Sequence, residues 1–249
     1  MQLIFENDSL IAVNKTEYIP VAAGVRGGDS LQKRVEEFLA ARRESEEAGG
    51  AAGQKAFAGL VHRIDQPVTG VVLFAKTPAA LARLNAVFQS GDVQKLYWAA
   101  ADAPPAGQTR GETVSPDSGG AGKAEDSFRL LEHYLVFNSG QNKSRAFDRP
   151  CAKGGKRALL RYRIAGKSDR YVFLEIQLLT GRPHQIRAQL AATGCHIKGD
   201  LKYGAARSNP GGGIHLHARR ISFRDPETKN LIDITCPPPE DTLWALFPR

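Results

Sequence analysis

The sequence predicts an α+β fold with a mixed, mainly antiparallel sheet and flanking helices. Short apolar or alternating segments, typical of strands, outnumber the segments with helical periodicity. The strands also do not alternate strictly with helices, as a doubly wound parallel fold requires. With 249 residues, of which 42% are hydrophobic, the chain can bury a substantial core, and we expect a single domain over residues 1–249.

The first elements are a hairpin and an amphipathic helix. Residues 3–5 and 10–13 are short apolar runs on either side of a polar turn, which predicts two paired strands. Ser30 can cap a helix that extends through residue 47, because apolar residues recur there at helical spacing. Residues 48–59 are rich in Ala and Gly and predict a flexible connection.

The middle of the chain continues with a strand and a helix. Residues 71–75 form an apolar strand, and Thr77 and Pro78 are a typical N-cap and first residue of a helix that ends near Gly91. A further strand follows at residues 95–101. Residues 102–126 are rich in Pro, Gly, Ser and Thr, which predicts a surface excursion.

The C-terminal part predicts three more strands and one short helix. Residues 171–179 alternate apolar with polar side chains, as a half-buried strand does. A helix is expected from Pro183 to Gly194, and strands at residues 214–218 and 231–236.

The net charge of +8 is concentrated in one segment. Residues 143–167 contain nine basic residues and a single acidic one, Asp148, with aromatic residues and glycines between them. Such a run is often only a solvated face. Its one-sided charge, interleaved with aromatic residues, favours contact with a phosphate backbone.

Several classes of protein are disfavoured. No run approaches the roughly 20 apolar residues of a membrane span, and the acidic start is unlike a signal peptide, so we expect a cytoplasmic protein with no membrane partner. The three cysteines are far apart and contain no C-x-x-C pair, which suggests neither disulfides nor a cysteine zinc site.

Nucleotide and metal motifs are also missing from the sequence. The residues around Lys123 do not match the P-loop pattern, and G-x-G-x-x-G is absent from the sequence, which argues against a nucleotide cofactor. The absence of G-x-S-x-G argues against the nucleophile turn of an α/β-hydrolase. His215 and His217 share one face of a strand, but without a third ligand we expect no metal.

The clearest candidate for chemistry is Asp65. It lies in the stretch His62-Arg63-Ile64-Asp65-Gln66-Pro67-Val68-Thr69-Gly70, directly before an apolar strand. A rigid scaffold commonly presents reacting groups at such a junction. On spacing alone, a structural ion pair with Arg63 is the simpler interpretation.

The wider pattern resembles the RluA-type pseudouridine synthases. Residues 62–70 resemble the H-R-L-D-x-x-T-S-G signature of that family, with Ile64, Val68 and Thr69 as mild departures. Four further blocks occur in the order of the family, although His196 replaces the usual proline: Lys95-Leu96-Tyr97-Trp98-Ala99, Thr180-Gly181-Arg182-Pro183-His184-Gln185-Ile186-Arg187, Ile197-Lys198-Gly199-Asp200 with Tyr203-Gly204, and Leu216-His217-Ala218.

The resemblance implies the pseudouridine synthase catalytic fold and the isomerisation of uridine to pseudouridine in ribosomal or transfer RNA, without a cofactor. Many relatives carry an additional N-terminal domain of the ribosomal S4 type. Because Asp65 lies so near the start, we expect this domain to be missing and the catalytic domain to select the target. The sequence leaves the oligomeric state open, with a monomer as the expectation.

The resemblance also implies the roles of individual residues. Asp65 is the essential carboxylate, as nucleophile or as electrostatic partner, and Arg182 holds it ionised. Tyr97 stacks on the uracil and reaches its departing proton, or only packs in its strand. Arg63 fills the gap that the flipped uridine leaves.

In view of the resemblance, the basic segment at residues 143–167 has an expected role. We expect it to form a mobile or partly ordered arm that binds RNA phosphates, with Lys153 and Lys156 among its contacts.

The roles of two residues stay open at this stage. Ile197 lines the pocket or belongs to the core, and Arg187 contacts RNA or secures its helix.

Two other classes of function are carried as alternatives. One is a catalytically inactive RNA-binding module of the same fold, which the presence of Asp65, Tyr97 and Arg182 disfavours. The other is a glycosidase that pairs Asp65 with a second carboxylate such as Asp200, although nothing in the spacing demands that pair.

Overall fold

The structure is a computed structural model that describes residues 1–16, 18–24, 27–46, 56–102, 112–113, 128–151 and 154–247. These residues confirm the α+β class. They contain three α-helices and twelve strands: β1 (Gln2–Glu6), β2 (Leu10–Lys15), α1 (Leu31–Glu46), β3 (Gly59–Leu60), β4 (Thr69–Ala75), α2 (Pro78–Ser90), β5 (Gln94–Asp102), β6 (Glu112–Thr113), β7 (Arg129–Asn138), β8 (Lys143–Phe147), β9 (Lys156–Lys167), β10 (Tyr171–Leu178), α3 (Gln185–Ala192), β11 (Leu216–Arg224) and β12 (Leu231–Thr235). Within these ranges no helix has both the length and the apolar character needed to cross a membrane.

The chain divides into two compact units. The first comprises residues 1–93 and 219–238, and the second comprises residues 94–218 and 239–249. Strand β11 begins in the second unit and ends in the first.

The first unit contains an antiparallel sheet and two helices. Strand β2 pairs with β1 and with β4, and β12 pairs with the C-terminal part of β11. Apolar side chains of β2 and β4 are fully buried, and Leu84 of α2 and Phe223 of β11 join the same core. The predicted hairpin is confirmed as β1 and β2.

Both helices of the first unit begin at the predicted caps. The Lys33 N–H donates to Oγ of Ser30 at 3.2 Å, and the Ala80 N–H donates to Oγ1 of Thr77 at 3.1 Å. Gly91 ends α2 with φ of 88°, a left-handed conformation that glycine adopts readily.

The second unit contains a four-stranded antiparallel core in the order β5-β10-β9-β7. Strands β6 and β8 pair with the remaining edge of β7, at different positions along it. Ala188 of α3 packs in one apolar cluster with Leu135 of β7 and Ala158 of β9, and Ala146 of β8 borders this cluster. On the other face of the sheet, Trp98 stacks on Phe247 with ring centroids 4.1 Å apart.

The prediction of a mobile or partly ordered arm at residues 143–167 was wrong. Most of this segment forms β8 and β9, each hydrogen-bonded to β7. The inward positions of these strands include Ser144 and Ala158, which are buried but weakly hydrophobic. The period-two pattern of a half-buried strand was therefore hidden behind the basic residues.

Other predicted boundaries also change. The connection predicted at residues 48–59 ends earlier, because Gly59 starts β3, and residues 48–55 lie outside the described part. Most of the predicted excursion at residues 102–126 lies outside it too, whereas Glu112–Thr113 form β6. Strand β11 continues past residue 218, because Arg220 to Arg224 pair with Thr235 to Leu231 of β12.

A polar network around the buried His215 anchors the segment before β11. Lys198 Nζ donates to Oδ1 of Asn209 at 2.8 Å, so the amide nitrogen of Asn209 donates to Nδ1 of His215 at 2.9 Å. His215 Nε2 then donates to Oδ1 of Asp241 at 3.2 Å, and its ring stacks on Trp244. Burial lowers the pKa of His215, which keeps the imidazole neutral in this arrangement. His217, the other histidine considered as a metal ligand, is fully buried.

The lowered pKa of His215 predicts a loss of stability in mild acid. The neutral form is favoured in the folded protein, so its contribution is complete above the unfolded pKa of about 6.5 and declines as the pH falls below it. We expect the free energy of unfolding, measured by urea denaturation, to fall between pH 7.5 and pH 5. His215→Gln should reduce this pH dependence, and an unchanged dependence would contradict the assignment.

Candidate active-site residues

Asp65 lies in a tight turn directly before β4. The Val68 N–H donates to the carbonyl oxygen of Asp65 at 3.0 Å, which closes the turn around Gln66 and Pro67. Asp65 is half-buried, whereas Arg63, two residues earlier, is exposed. The turn therefore presents a carboxylate on a backbone that is itself hydrogen-bonded.

The side chain of Lys15 is hydrogen-bonded to the backbone of this turn. Its ammonium donates to the carbonyl oxygens of Gln66 at 2.7 Å and of Val68 at 2.6 Å, and the residue is only 1% exposed. A buried ammonium requires such acceptors because leaving it without them costs several kcal/mol. The sequence analysis missed this residue, and the only available signal was a lysine at the end of the apolar strand β2.

His62 fixes the chain on the other side of Asp65. The Leu73 N–H of β4 donates to Nε2 of His62 at 3.2 Å, and the imidazole stacks on Phe88 of α2 with centroids 5.3 Å apart. The first residue of the 62–70 motif is thus a structural anchor for the segment that carries Asp65.

Tyr97 lies in β5 of the second unit, and Ile197 is attached to the same strand. Tyr97 pairs with Ile176 of β10 and is 9% exposed. Ile197 forms a bridge to Ala101 of β5 and is 2% exposed. The positions are compatible with both of the roles that were left open for each residue.

Arg182 lies on the loop between β10 and α3. Gln185 organises this loop, because its Oε1 accepts from Oγ1 of Thr180 at 2.8 Å and from the Arg182 N–H at 3.0 Å. Gln185 Nε2 donates to the carbonyl oxygen of Leu159 at 2.9 Å, and Nε of Arg182 donates to that of Arg157 at 3.1 Å. The loop is therefore attached to β9 at two points.

Arg187 forms a buried ion pair. Its Nε lies 2.7 Å from Oδ2 of Asp200, its Nη2 lies 2.8 Å from Oδ1, and the two side chains are 5% and 1% exposed. The guanidinium also lies 4.9 Å from the ring centre of Tyr203. This geometry favours the structural alternative for Arg187. It also engages Asp200, which weakens the glycosidase hypothesis.

The basic segment contains both paired and exposed cations. Arg157 and Arg163 form ion pairs with Glu132 and Glu175 on neighbouring strands. Lys156 is exposed at the start of β9, and Lys153 lies outside the described residues. RNA contact by Lys153 and Lys156 stays a prediction.

The predicted site residues fall in both units. Arg63 and Asp65 belong to the first, and the second contains Tyr97, Lys156, Arg182, Arg187 and Ile197. Within each unit, these candidate site residues lie on hydrogen-bonded turns and strands or directly beside them.

Replacing Lys15 tests its support of the Asp65 turn. Lys15→Met retains much of the side-chain volume but removes the donor from two carbonyl groups. We expect the free energy of unfolding in urea to fall by about 1–3 kcal/mol. The control is Lys33→Met on α1, where the side chain is 60% exposed, and it should change stability by no more than about 0.5 kcal/mol. Equal effects of the two substitutions would contradict the assigned role.

The role of Arg187 can be tested in the same way. Arg187→Met leaves Asp200 buried without its partner, so we expect a loss of about 3–5 kcal/mol of stability, of which Asp200→Asn in the same chain restores a part. Arg83→Met removes an exposed ion pair with Glu227 and should cost at most about 1 kcal/mol. A stable Arg187→Met protein would return Arg187 to the candidate RNA contacts.

Two proteins of similar sequence are both named as pseudouridine synthases. The chain is 28% identical over 241 residues to ribosomal large subunit pseudouridine synthase C of Vibrio parahaemolyticus, covering 94% of this chain and 65% of the relative. It is 26% identical over 249 residues to ribosomal large subunit pseudouridine synthase D of Zymomonas mobilis, covering 97% of this chain and 70% of the relative. The chain thus spans about two thirds of the length of these relatives.

Solved structures and a family model complete the comparison. Human RNA pseudouridylate synthase domain containing 4 has the same fold, with a TM-score of 0.68 and 20% identity over 98% of this chain and 91% of the human chain. The family model described as RNA pseudouridylate synthase matches residues 9–192, which is well over half of the chain. The chain therefore belongs to the RNA pseudouridylate synthase family.

Proposed function

We propose that this protein is an RNA pseudouridine synthase, an isomerase that converts specific uridines in structured RNA to pseudouridine. The observation that carries the proposal is the half-buried Asp65 on the turn held by Lys15, within the motif of a chain that belongs to this family. The reaction breaks the bond from the sugar to the base nitrogen and forms a bond from the sugar to carbon 5 of the base. The hydrogen on carbon 5 leaves as a proton and the base nitrogen released from the sugar takes up a proton, so the composition of the nucleotide does not change.

Asp65 is the essential carboxylate of this reaction. As a nucleophile or as an electrostatic partner of the reacting sugar or base, it must be ionised. Tyr97 and Arg182 are the other catalytic residues, and in this proposal the tyrosine ring stacks on the uracil while its hydroxyl takes the departing proton. Arg63 is exposed, as a residue that enters the space left by a flipped uridine must be. Ile197 lies against the base.

Ribosomal RNA is the substrate that we favour. The support comes from the relatives, which are named as ribosomal large subunit enzymes. Transfer RNA is the alternative substrate, and both place the enzyme in the cytoplasm. The net charge of +8 suits any RNA, so the substrate must be identified by experiment.

The activity can be tested by tritium release from RNA labelled at carbon 5 of uracil. Unmodified total RNA and a large-subunit ribosomal transcript are the substrates. We expect wild type to release tritium. Asp65→Asn should lower the rate by about 10²–10⁴-fold, the range for an essential acid–base or charge-stabilising group.

The matched control is Asp8→Asn in the exposed turn between β1 and β2, which should react like wild type. RNA binding without tritium release by wild type would favour the catalytically inactive binding module. Release that does not depend on Asp65 would remove that residue from the mechanism.

A further inference from the structure

One row of side chains crosses the sheet of the second unit from the candidate catalytic tyrosine. Tyr97 of β5 is paired with Ile176 of β10, Ile176 with Tyr162 of β9, and Tyr162 with Arg129 of β7. Directly paired residues of antiparallel strands project from the same face. Because neighbouring strands are about 4.8 Å apart, Tyr162 lies about 10 Å from Tyr97 along the row, and Arg129 about 14 Å.

The row lies at the margin of the area that α3 covers. In the next row towards the helix, Leu131 and Leu160 are completely buried, and Gln189 of α3 donates to the carbonyl oxygen of Leu131 at 3.0 Å. In the row of Tyr97 itself, which is farther from the helix, Tyr162 and Arg129 are half-buried and retain solvent-accessible surface. Tyr162 and Arg129 are therefore anchored in the sheet and accessible to a ligand, whereas Ile176, between Tyr162 and Tyr97, is fully buried.

The opposite face of the same strands has a different character. There Arg157 is paired with Glu132, and Arg163 with Glu175. Trp98, the neighbour of Tyr97 in β5, is covered by Phe247. In the row of Tyr97, on its own face, the aromatic ring is Tyr162 and the cation is Arg129.

We propose that Tyr162 and Arg129 form a subsite for the nucleotide next to the target uridine. The ring of Tyr162 stacks on the neighbouring base, and the guanidinium of Arg129 contacts a phosphate of the same strand. Aromatic stacking combined with backbone cations is how proteins hold unpaired RNA. A flipped uridine leaves its neighbour without a stacking partner, and Tyr162 replaces it at a distance that the adjacent nucleotide can span. The inference rests on the proposed function.

Steady-state kinetics of tritium release from the labelled ribosomal transcript test the subsite. Tyr162→Leu should raise KM about 5- to 100-fold, the range for the loss of one stacked base, with kcat within about twofold of wild type. Tyr162→Phe keeps the ring and should restore a KM close to that of wild type. Arg129→Gln should raise KM and reduce the slope of log KM against log salt by about 0.7–0.9, the value for one phosphate contact.

Two substitutions elsewhere in the second unit are the controls. Tyr134→Leu removes a half-buried tyrosine from the opposite face of β7, and Arg170→Gln removes an exposed arginine from the turn between β9 and β10. Both should leave KM unchanged. The proposal is overturned if Tyr162→Leu keeps the wild-type KM, lowers only kcat, or is not rescued by Tyr162→Phe, or if Arg170→Gln raises KM as much as Arg129→Gln.

Cross-linking tests the subsite without any substitution. Wild-type protein irradiated with a transcript that contains 4-thiouridine should give cross-linked peptides from β9 at Tyr162 or from β7 at Arg129. Cross-links confined to other segments would overturn the proposal. Failure of the proposed function is distinguishable, because wild type would then release no tritium, whereas failure of this inference alone leaves release intact.

Discussion

Charged and polar groups that are buried must be paired, and this requirement shapes the segments that carry the candidate catalytic residues. In the first unit, the ammonium of Lys15 is 1% exposed and donates to two carbonyl groups of the Asp65 turn. In the second unit, the guanidinium of Arg187 is 5% exposed and binds both oxygens of Asp200. Each cation is costly to bury without acceptors, so each pairing selects one loop conformation over its alternatives.

The loop that carries Arg182 shows how a polar side chain replaces regular backbone pairing. At this point β10 has ended and α3 has not begun, so backbone groups need other partners. Gln185 supplies them, since its amide accepts from Thr180 and from the Arg182 N–H and donates to the carbonyl oxygen of Leu159. Ser144 adds a hydrogen bond to the carbonyl oxygen of Pro183 at 2.5 Å. The loop that carries Arg182 is thus held in place without a long ordered element of its own.

The positive charge of the chain is distributed by strand geometry. Alternation along β9 sends Arg157, Arg161 and Arg163 to one face and Ala158, Leu160 and Tyr162 to the other. Carboxylates on neighbouring strands neutralise Arg157 and Arg163, so a local excess of charge does not translate directly into a surface for RNA. The cross-strand row of Tyr97 instead combines a second aromatic ring, Tyr162, with one cation, Arg129.

Local patterns were sufficient to predict many elements of this protein. Ser30, Thr77 and Pro78 specify helix starts because caps act within one turn of the chain, and the hairpin of β1 and β2 follows from apolar runs around a polar turn. The spaced motifs around Asp65, Tyr97 and Arg182 were equally visible. Strands β7 to β9 were missed because their inward positions include His133, Ser144 and Ala158, whose burial depends on partners distant in sequence.

The sequence by itself thus determined the fold class, the caps and the motif residues, because each depends on neighbours in the chain. Only the tertiary structure decided that Lys15 supports the Asp65 turn, that Arg187 is bound to Asp200, and which side chains share a face with Tyr97. These relations join residues that are between 13 and 79 positions apart. They are decided by strand register and by the pairing of buried charges, which no local pattern encodes.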